Sequence, residues 1–303
     1  MAHLRLELNG VLTIDPPYPE DATLLSAWLY DHCYVKSILA VSGTVIPKTD
    51  DDDLLPLLSA ANQSHSGWDE GWSIEHSLSN GRILARKNGA LRVFVAGEYI
   101  SSRGPGCGPE QQGALLVFMP AASTSLQSSY YYAFGEAISR FEENTGMLRF
   151  YWNISADGSR HLIEQATREL NRFQVPFRIK CPNKRSKYPR RDAAVLYAHR
   201  YYYPIIARVL ESLYDRLQPW LSSDTPLFTR ELAPGLALAE DPGESFGQHR
   251  CRLLANAMVR SRTLSVPERL SSLNEEFENH GLSLERPWLN PGSSESYPFP
   301  FPD

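Results

Sequence analysis

Residues 148–198 read LRFYWNISADGSRHLIEQATRELNRFQVPFRIKCPNKRSKYPRRDAAVLYA, and the fold turns on this stretch. LRFYWNI (148–154) has the aromatic and branched content of a strand. Residues 158–173 place Leu162, Ile163, Ala166, Leu170 and Phe173 at the spacing of one helix face. PFRIKC (176–181) then predicts a short strand, NKRSKYPRR a basic loop, and AAVLYA (193–198) another strand. Pleat alternation sends Phe177, Ile179 and Cys181 to one side of 176–181 and Arg178 and Lys180 to the other. It likewise sets Tyr197 opposite Ala194, Leu196 and Ala198.

Working outward, Asn80-Gly81 and Asn88-Gly89 are tight-turn signals separating WSIEHSL, RILARK and ALRVFVAGEYI, three antiparallel strands. A Gly/Pro loop at 103–113 precedes the strand ALLVFM. Residues 130–144 predict a helix with Phe134, Ala137, Ile138 and Phe141 inward and Gly146 as its stop. Nearer the start, Leu24, Leu25, Trp28 and Cys33 suit a helix within 21–39, Thr49–Asp53 an acidic loop, and 54–62 a second short helix. Pro204 suits the first turn of a helix running to Leu217. Strand-like pieces at 226–231 and 235–239 precede a helix opened by Ser245, and a last helix spans 267–280. The Pro, Ser and aromatic tail from Pro287 reads as an irregular docking strap. The order of elements, with its hairpins, predicts an α+β fold: a mixed, largely antiparallel sheet flanked by helices. The expected divisions are a lead-in at 1–65, the α+β domain at 66–285 and the tail at 286–303.

The chain has 303 residues and a net charge of −5, so no bulk positive charge marks it for nucleic acid. Its start, MAHLRLELNG, lacks the features of a signal peptide, and no apolar run nears the ~20 residues of a membrane span. The four cysteines lie far apart, as reduced thiols of a cytoplasmic protein do. No Walker A sequence, G-x-G-x-x-G, H-R-D, D-F-G, H-E-x-x-H or G-x-S-x-G occurs, which disfavours kinase, zinc-protease and serine-hydrolase chemistry. Neither metal nor cofactor is expected, and a reaction on an anionic substrate remains open.

Three clusters bear on that chemistry. The first is the basic block: Arg178, Lys180, Lys184, Arg190 and Arg191 lie within fourteen positions. Arg suits bidentate phosphate binding, and a Lys crowded by cations loses its proton more readily. The bland alternative is a solvated loop beside an edge strand. The second is ESFGQHRCR (244–252), where Ser245 caps a helix start bearing His249, Arg250 and Arg252, a pattern suited to anions but also to plain capping. In the third, Glu240 and Asp241 are adjacent on an extended chain and point to opposite faces, so a structural or ion-pair role is favoured over a two-carboxylate site.

FYWNISADG, PFRIKCPN, YPRRDAAVLY, FTRELAPGLALAEDPG and ESFGQHRCRLLANAM, taken in that order, resemble HopA-type effector domains over about 110–258. That family is known as type III effectors and as partners of kinases in making class V lanthipeptides and thioamitides. PFRIKC, RRDAAVLY and NIS more distantly resemble phosphothreonine lyases. The resemblance implies a phosphothreonine lyase-like core. It sets Lys180 on the position of the lysine base and Arg190 or Arg191 near that of a phosphate-binding Arg. It puts Asn153 where the family carries a catalytic His, and Asn cannot deliver a net proton. His249 and Tyr197 are the candidate replacements, with arginine stabilisation alone as the third course.

The expected activity is therefore β-elimination of phosphate from phosphoserine or phosphothreonine. The expected partners are a phosphorylated precursor peptide and a separate protein kinase, with neither nucleic acid nor membrane. Two rivals stand beside it: a noncatalytic subunit binding precursor or kinase, and an effector lyase acting on host phosphoproteins.

Overall fold

Alternation of apolar side chains in 147–152 and 194–199 builds the centre of the molecule. The computed structural model describes residues 4–6, 12–14, 19–36, 52–105, 115–139, 141 and 145–300. β1 (Leu4–Leu6) and β2 (Leu12–Ile14) pair as a small antiparallel ladder. α1 (Ala22–Leu29), capped by Asp21, runs into a π-helical turn at Tyr30–Val35, and α2 (Leu55–Ala61) follows. β3 (Gly67–Ser77), β4 (Ile83–Lys87), β5 (Ala90–Phe94), β6 (Tyr99–Ile100) and β7 (Leu115–Met119) form a five-stranded antiparallel sheet in the order β5-β4-β3-β7-β6. The predicted hairpins appear here, but ALRVFVAGEYI breaks into two strands around Gly97, whose φ is +100°.

The larger sheet has seven strands, all neighbours antiparallel. They are β8 (Ala122–Ser123), β9 (Tyr130–Phe134), β10 (Met147–Trp152), β11 (Phe177–Pro182), β12 (Ala194–His199), β13 (Arg230–Ala233) and β14 (Leu236–Glu240). Their order is β13-β14-β10-β12-β11-β9-β8. Against one face pack α3 (Ala156–Arg172) and α4 (Tyr203–Leu217), which enclose Phe150, Trp152, Ile179, Leu196 and Leu238 in the main core. Ser155 caps α3 by accepting from the Gly158 amide at 3.2 Å. Against part of the other face pack α1, the π-helical turn and α5 (Phe246–Arg260), around Tyr34, Tyr151, Val195 and Phe246. A Cβ at Gly247 would stand 2.5 Å from the Tyr34 ring, so only glycine lets α5 approach so closely. α6 (Val266–Asn279), opened by a Ser265–Glu268 capping box, lies on α5. No helix among the described residues is long and apolar enough to cross a membrane.

The α+β architecture matches the sequence expectation. The helix expected over 130–144 does not form across its first part: 130–134 is β9, paired to β11 and β8. Three successive tyrosines favour the pleat, and ladder partners on both sides outweigh the local helical period. Residues 140 and 142–144 lie outside the described residues, as do 37–39, 49–51, 106–113 and 301–303.

The C-terminal stretch straps the sheet edge. The buried Glu240 carboxylate accepts from the Asn290 amide at 2.7 Å, the Ser293 hydroxyl at 2.7 Å and the Tyr297 phenol at 2.6 Å. Arg250, also fully buried, donates to the Pro287 and Leu289 carbonyls at 2.9 and 3.0 Å.

Candidate active site

Strand register determines which side chains meet on the face that α1 and α5 leave partly open. One row across the sheet runs Ala239, Arg149, Tyr197, Arg178, Phe134. The adjacent row runs Ala237, Tyr151, Val195, Lys180, Tyr132. The two rows lie two residues apart along each strand, about 6–7 Å, within the reach of long side chains. The result is a half-buried patch of cations and phenols.

The Tyr197 ring is its floor. Arg178 stacks on it at 4.7 Å, Arg149 lies at 5.3 Å and the Lys180 ammonium at 6.0 Å. Lys180 also sits 4.7 Å from the Tyr130 ring and 6.0 Å from that of Tyr132. Its Nζ donates to Gln127 Oε1 at 3.4 Å, and the Tyr132 phenol donates to the same oxygen at 3.1 Å.

Charge compensation is uneven across this patch. Arg149 donates to Asp241 Oδ1 at 2.7 Å and to the Glu244 carbonyl at 2.6 Å. Arg190 is held bidentately by Asp192, at 2.8 and 3.1 Å. Among the described residues neither Arg178 nor Lys180 has a carboxylate partner, and the Arg178 Nε is buried without an acceptor. Burial lowers the Lys180 pKa, aided by the positive charges of Arg149 and Arg190 and opposed by Tyr132 and Asp192. A lysine so placed loses its proton more easily than one in water.

The other sequence candidates are dispersed. Lys184 is exposed beside a short 3-10 turn, Arg185–Lys187, where Asp52 accepts from Ser186. Arg191 turns inward to the Cys33 carbonyl at 2.8 Å and to Asp224 at 3.5 Å. Asn153 is buried at the end of β10, its side-chain amide donating to the Asp224 carbonyl at 2.9 Å. Arg252 pairs with Glu244 at 2.8 Å, and Arg250 is engaged by the strap. His249 lies in a separate cavity of about 340 Å³ with Asp241, His280 and Asn290. Its Nδ1 faces the Arg250 guanidinium at 2.7 Å. Burial and then Arg250 push its pKa down to about 4, so the ring is neutral at physiological pH. The cluster expected around the α5 start is thus not gathered at Lys180, because the strap engages Arg250 and the neighbouring Glu244 engages Arg252.

Sequence reasoning missed Tyr132 and Tyr130, since a helix was expected where β9 lies, and Gln127, in the connection before β9, carried no sequence signal. Asp241 enters through its ion pair with Arg149 and Glu240 through the strap, consistent with the structural role expected for both. Burial raises the Cys33 thiol to about 11 and the Cys251 thiol to about 12, so neither is a ready nucleophile. Among the described residues, no three His, Cys, Asp or Glu side chains converge to hold a metal ion.

Two solved effector structures are similar to the chain, one from Pseudomonas syringae pv. tomato strain DC3000 and one from Pseudomonas syringae pv. syringae strain 61. Each aligns at 18% identity and a TM-score of 0.40, over 53% of this chain and 62% of its own. The chain therefore spans less than two thirds of either effector. No curated protein matches it. The family model of the HopA1 effector proteins matches residues 121–289, from the β8 edge to the first residues of the C-terminal strap, and by that match the chain belongs to the HopA1 effector protein family.

Proposed function

We propose that this chain eliminates phosphate from phosphoserine or phosphothreonine in a peptide. The carrying observation is the adjacent pair Arg178 and Lys180, two half-buried cations that no carboxylate among the described residues pairs with. Leaving charge uncompensated in a partly desolvated place is costly, and a dianionic substrate relieves that cost. Arg178, through the exposed part of its guanidinium, would bind the phosphate, and Arg149 would add positive potential beside it. Lys180, in its neutral form, would take the α-proton of the phosphorylated residue. The electron pair released at Cα forms the Cα=Cβ bond, and the Cβ–O bond breaks. The products are dehydroalanine or dehydrobutyrine and inorganic phosphate.

The substrate would be a precursor peptide phosphorylated by a separate cytoplasmic kinase. Membership of an effector family favours a second reading, in which the same chemistry acts on a host phosphoprotein. The test incubates purified protein with a synthetic phosphopeptide and follows phosphate release and mass loss. Both are expected without added kinase. Phosphate release only when kinase is present, or none at all, would favour the noncatalytic binding role, which Asn153 at the histidine position motivates.

A further inference from the structure

Lys180 and Tyr132 face each other across the β11–β9 ladder as direct register partners. Their polar ends converge on one point, Gln127 Oε1, 3.4 Å from the lysine Nζ and 3.1 Å from the phenol. Gln127 is exposed and belongs to the connection between β8 and β9, not to the sheet. Its carboxamide oxygen is a neutral acceptor placed where an amine and a hydroxyl both aim. A substrate oxygen at that point would meet both groups.

We propose that Tyr132 is a catalytic residue, the proton donor to the leaving phosphate, and that Gln127 holds the substrate's place until the peptide enters. This rests on the lyase reading above. Lys180 removes the α-proton and becomes an ammonium. The Cβ–O bond breaks toward the bridging oxygen, which takes the phenol proton of Tyr132 and leaves as hydrogen phosphate. Without that proton the leaving group would be trianionic phosphate, a far stronger base than a phenolate. The resulting Tyr132 phenolate recovers its proton from the Lys180 ammonium, since both reach the same point. Base and acid are thereby reset together, with no net proton exchanged with solvent.

The other donors are less well placed. His249 occupies another cavity and is neutral at physiological pH, so it has no ready proton to give. Tyr197 is buried beneath the three cations. Asn153 has no net proton to give, and its amide is held by the Asp224 carbonyl.

The test compares two peptides that yield the same dehydroalanine. One carries phosphoserine. The other carries S-phosphocysteine, whose bridging sulfur leaves as a thiophosphate, a much weaker base that needs little help from an acid. Tyr132→Phe keeps the ring and removes only the hydroxyl. With phosphoserine its turnover should fall by ~10²–10³-fold, the size of a lost general acid. With phosphocysteine it should stay within about threefold of wild type, because no proton has to be delivered. Lys180→Ala should lose both reactions, since both need the base. Near-normal phosphoserine turnover by Tyr132→Phe overturns the proposal. Equal losses on both peptides also overturn it, marking Tyr132 as structural. A wild-type protein inactive on both peptides refutes the lyase reading itself, a different outcome from either.

Discussion

Replacing Arg178 with Met separates ligand binding from structure. Among the described residues Arg178 makes no ion pair and its Nε has no acceptor, while its guanidinium stacks on Tyr197 at 4.7 Å. Losing such a stack costs roughly 0.5–2 kcal/mol. Against that, the variant removes a half-buried guanidinium from a patch that already holds Arg149 and Lys180, and keeps an apolar stem of similar length. The two effects oppose, so folding stability should change by no more than about 1 kcal/mol in either direction. Phosphate recognition behaves otherwise. A hydrogen bond to a charged group contributes about 1.5–3 kcal/mol, so loss of even one should raise KM for a phosphopeptide by roughly 10–10²-fold. Arg149→Met is the contrasting variant, because its pair with Asp241 is largely buried, with side chains 12% and 10% exposed. Breaking such a pair costs about 3–5 kcal/mol. Urea unfolding of both variants, beside steady-state phosphate release, makes the comparison. If Arg178→Met loses more than about 2 kcal/mol while KM is unchanged, Arg178 supports the fold and the phosphate assignment fails.

Lys180→Ala should abolish elimination, by ~10²–10⁴-fold, while phosphopeptide binding persists, so phosphorylated substrate accumulates in mass spectra; normal turnover would remove Lys180 as the base. Since only the neutral amine accepts a proton and burial lowers its pKa, the rate should climb with pH and level off below the free-lysine value of about 10.4; a rate that falls from pH 6 to 8 contradicts this sign. Gln127→Ala should leave kcat intact and lower KM, since its carboxamide competes with the peptide for one position; a kcat collapse would place it in the chemistry instead. Glu240→Ala strands three donors, Asn290 N, Ser293 Oγ and Tyr297 Oη, and should cost about 3–5 kcal/mol with new protease cleavage after Arg286; an unchanged proteolytic pattern would show that the strap is held by other contacts.

Half of the site was legible because a strand has only two faces. Once 176–181 is a strand, Arg178 and Lys180 must share a side, and Tyr197 follows from the same alternation in β12. The other half depended on β9. In YYYAFGEAISRF, Phe134, Ala137, Ile138 and Phe141 recur at helical spacing, and nothing local announces that β11 will offer 130–134 a ladder. The basic block misled in another way. Its residues look equivalent in sequence, yet Asp192 occupies Arg190, the Cys33 carbonyl takes Arg191, and Lys184 faces water. Which cations stay unpaired is decided by partners far along the chain. The capped start of α5 carried a real cap, but its Arg250 answers to carbonyls 37 and 39 positions later, beyond the reach of any local pattern.

The strap has a bearing on how the protein is made. Chains emerge from the ribosome in sequence order, at about 5–20 residues per second, and early segments begin folding before late ones exist. β14 and α5 are therefore synthesised while Glu240 lacks the groups at 290, 293 and 297, and Arg250 lacks the carbonyls at 287 and 289. A buried carboxylate and a buried guanidinium must wait, hydrated, until those residues leave the exit tunnel. The seven-stranded sheet can pair before then, but the end of β14 around Glu240 cannot close dry. A nascent chain halted before residue 287 should thus keep that end open to chaperones at the ribosome, and release them only as the strap arrives.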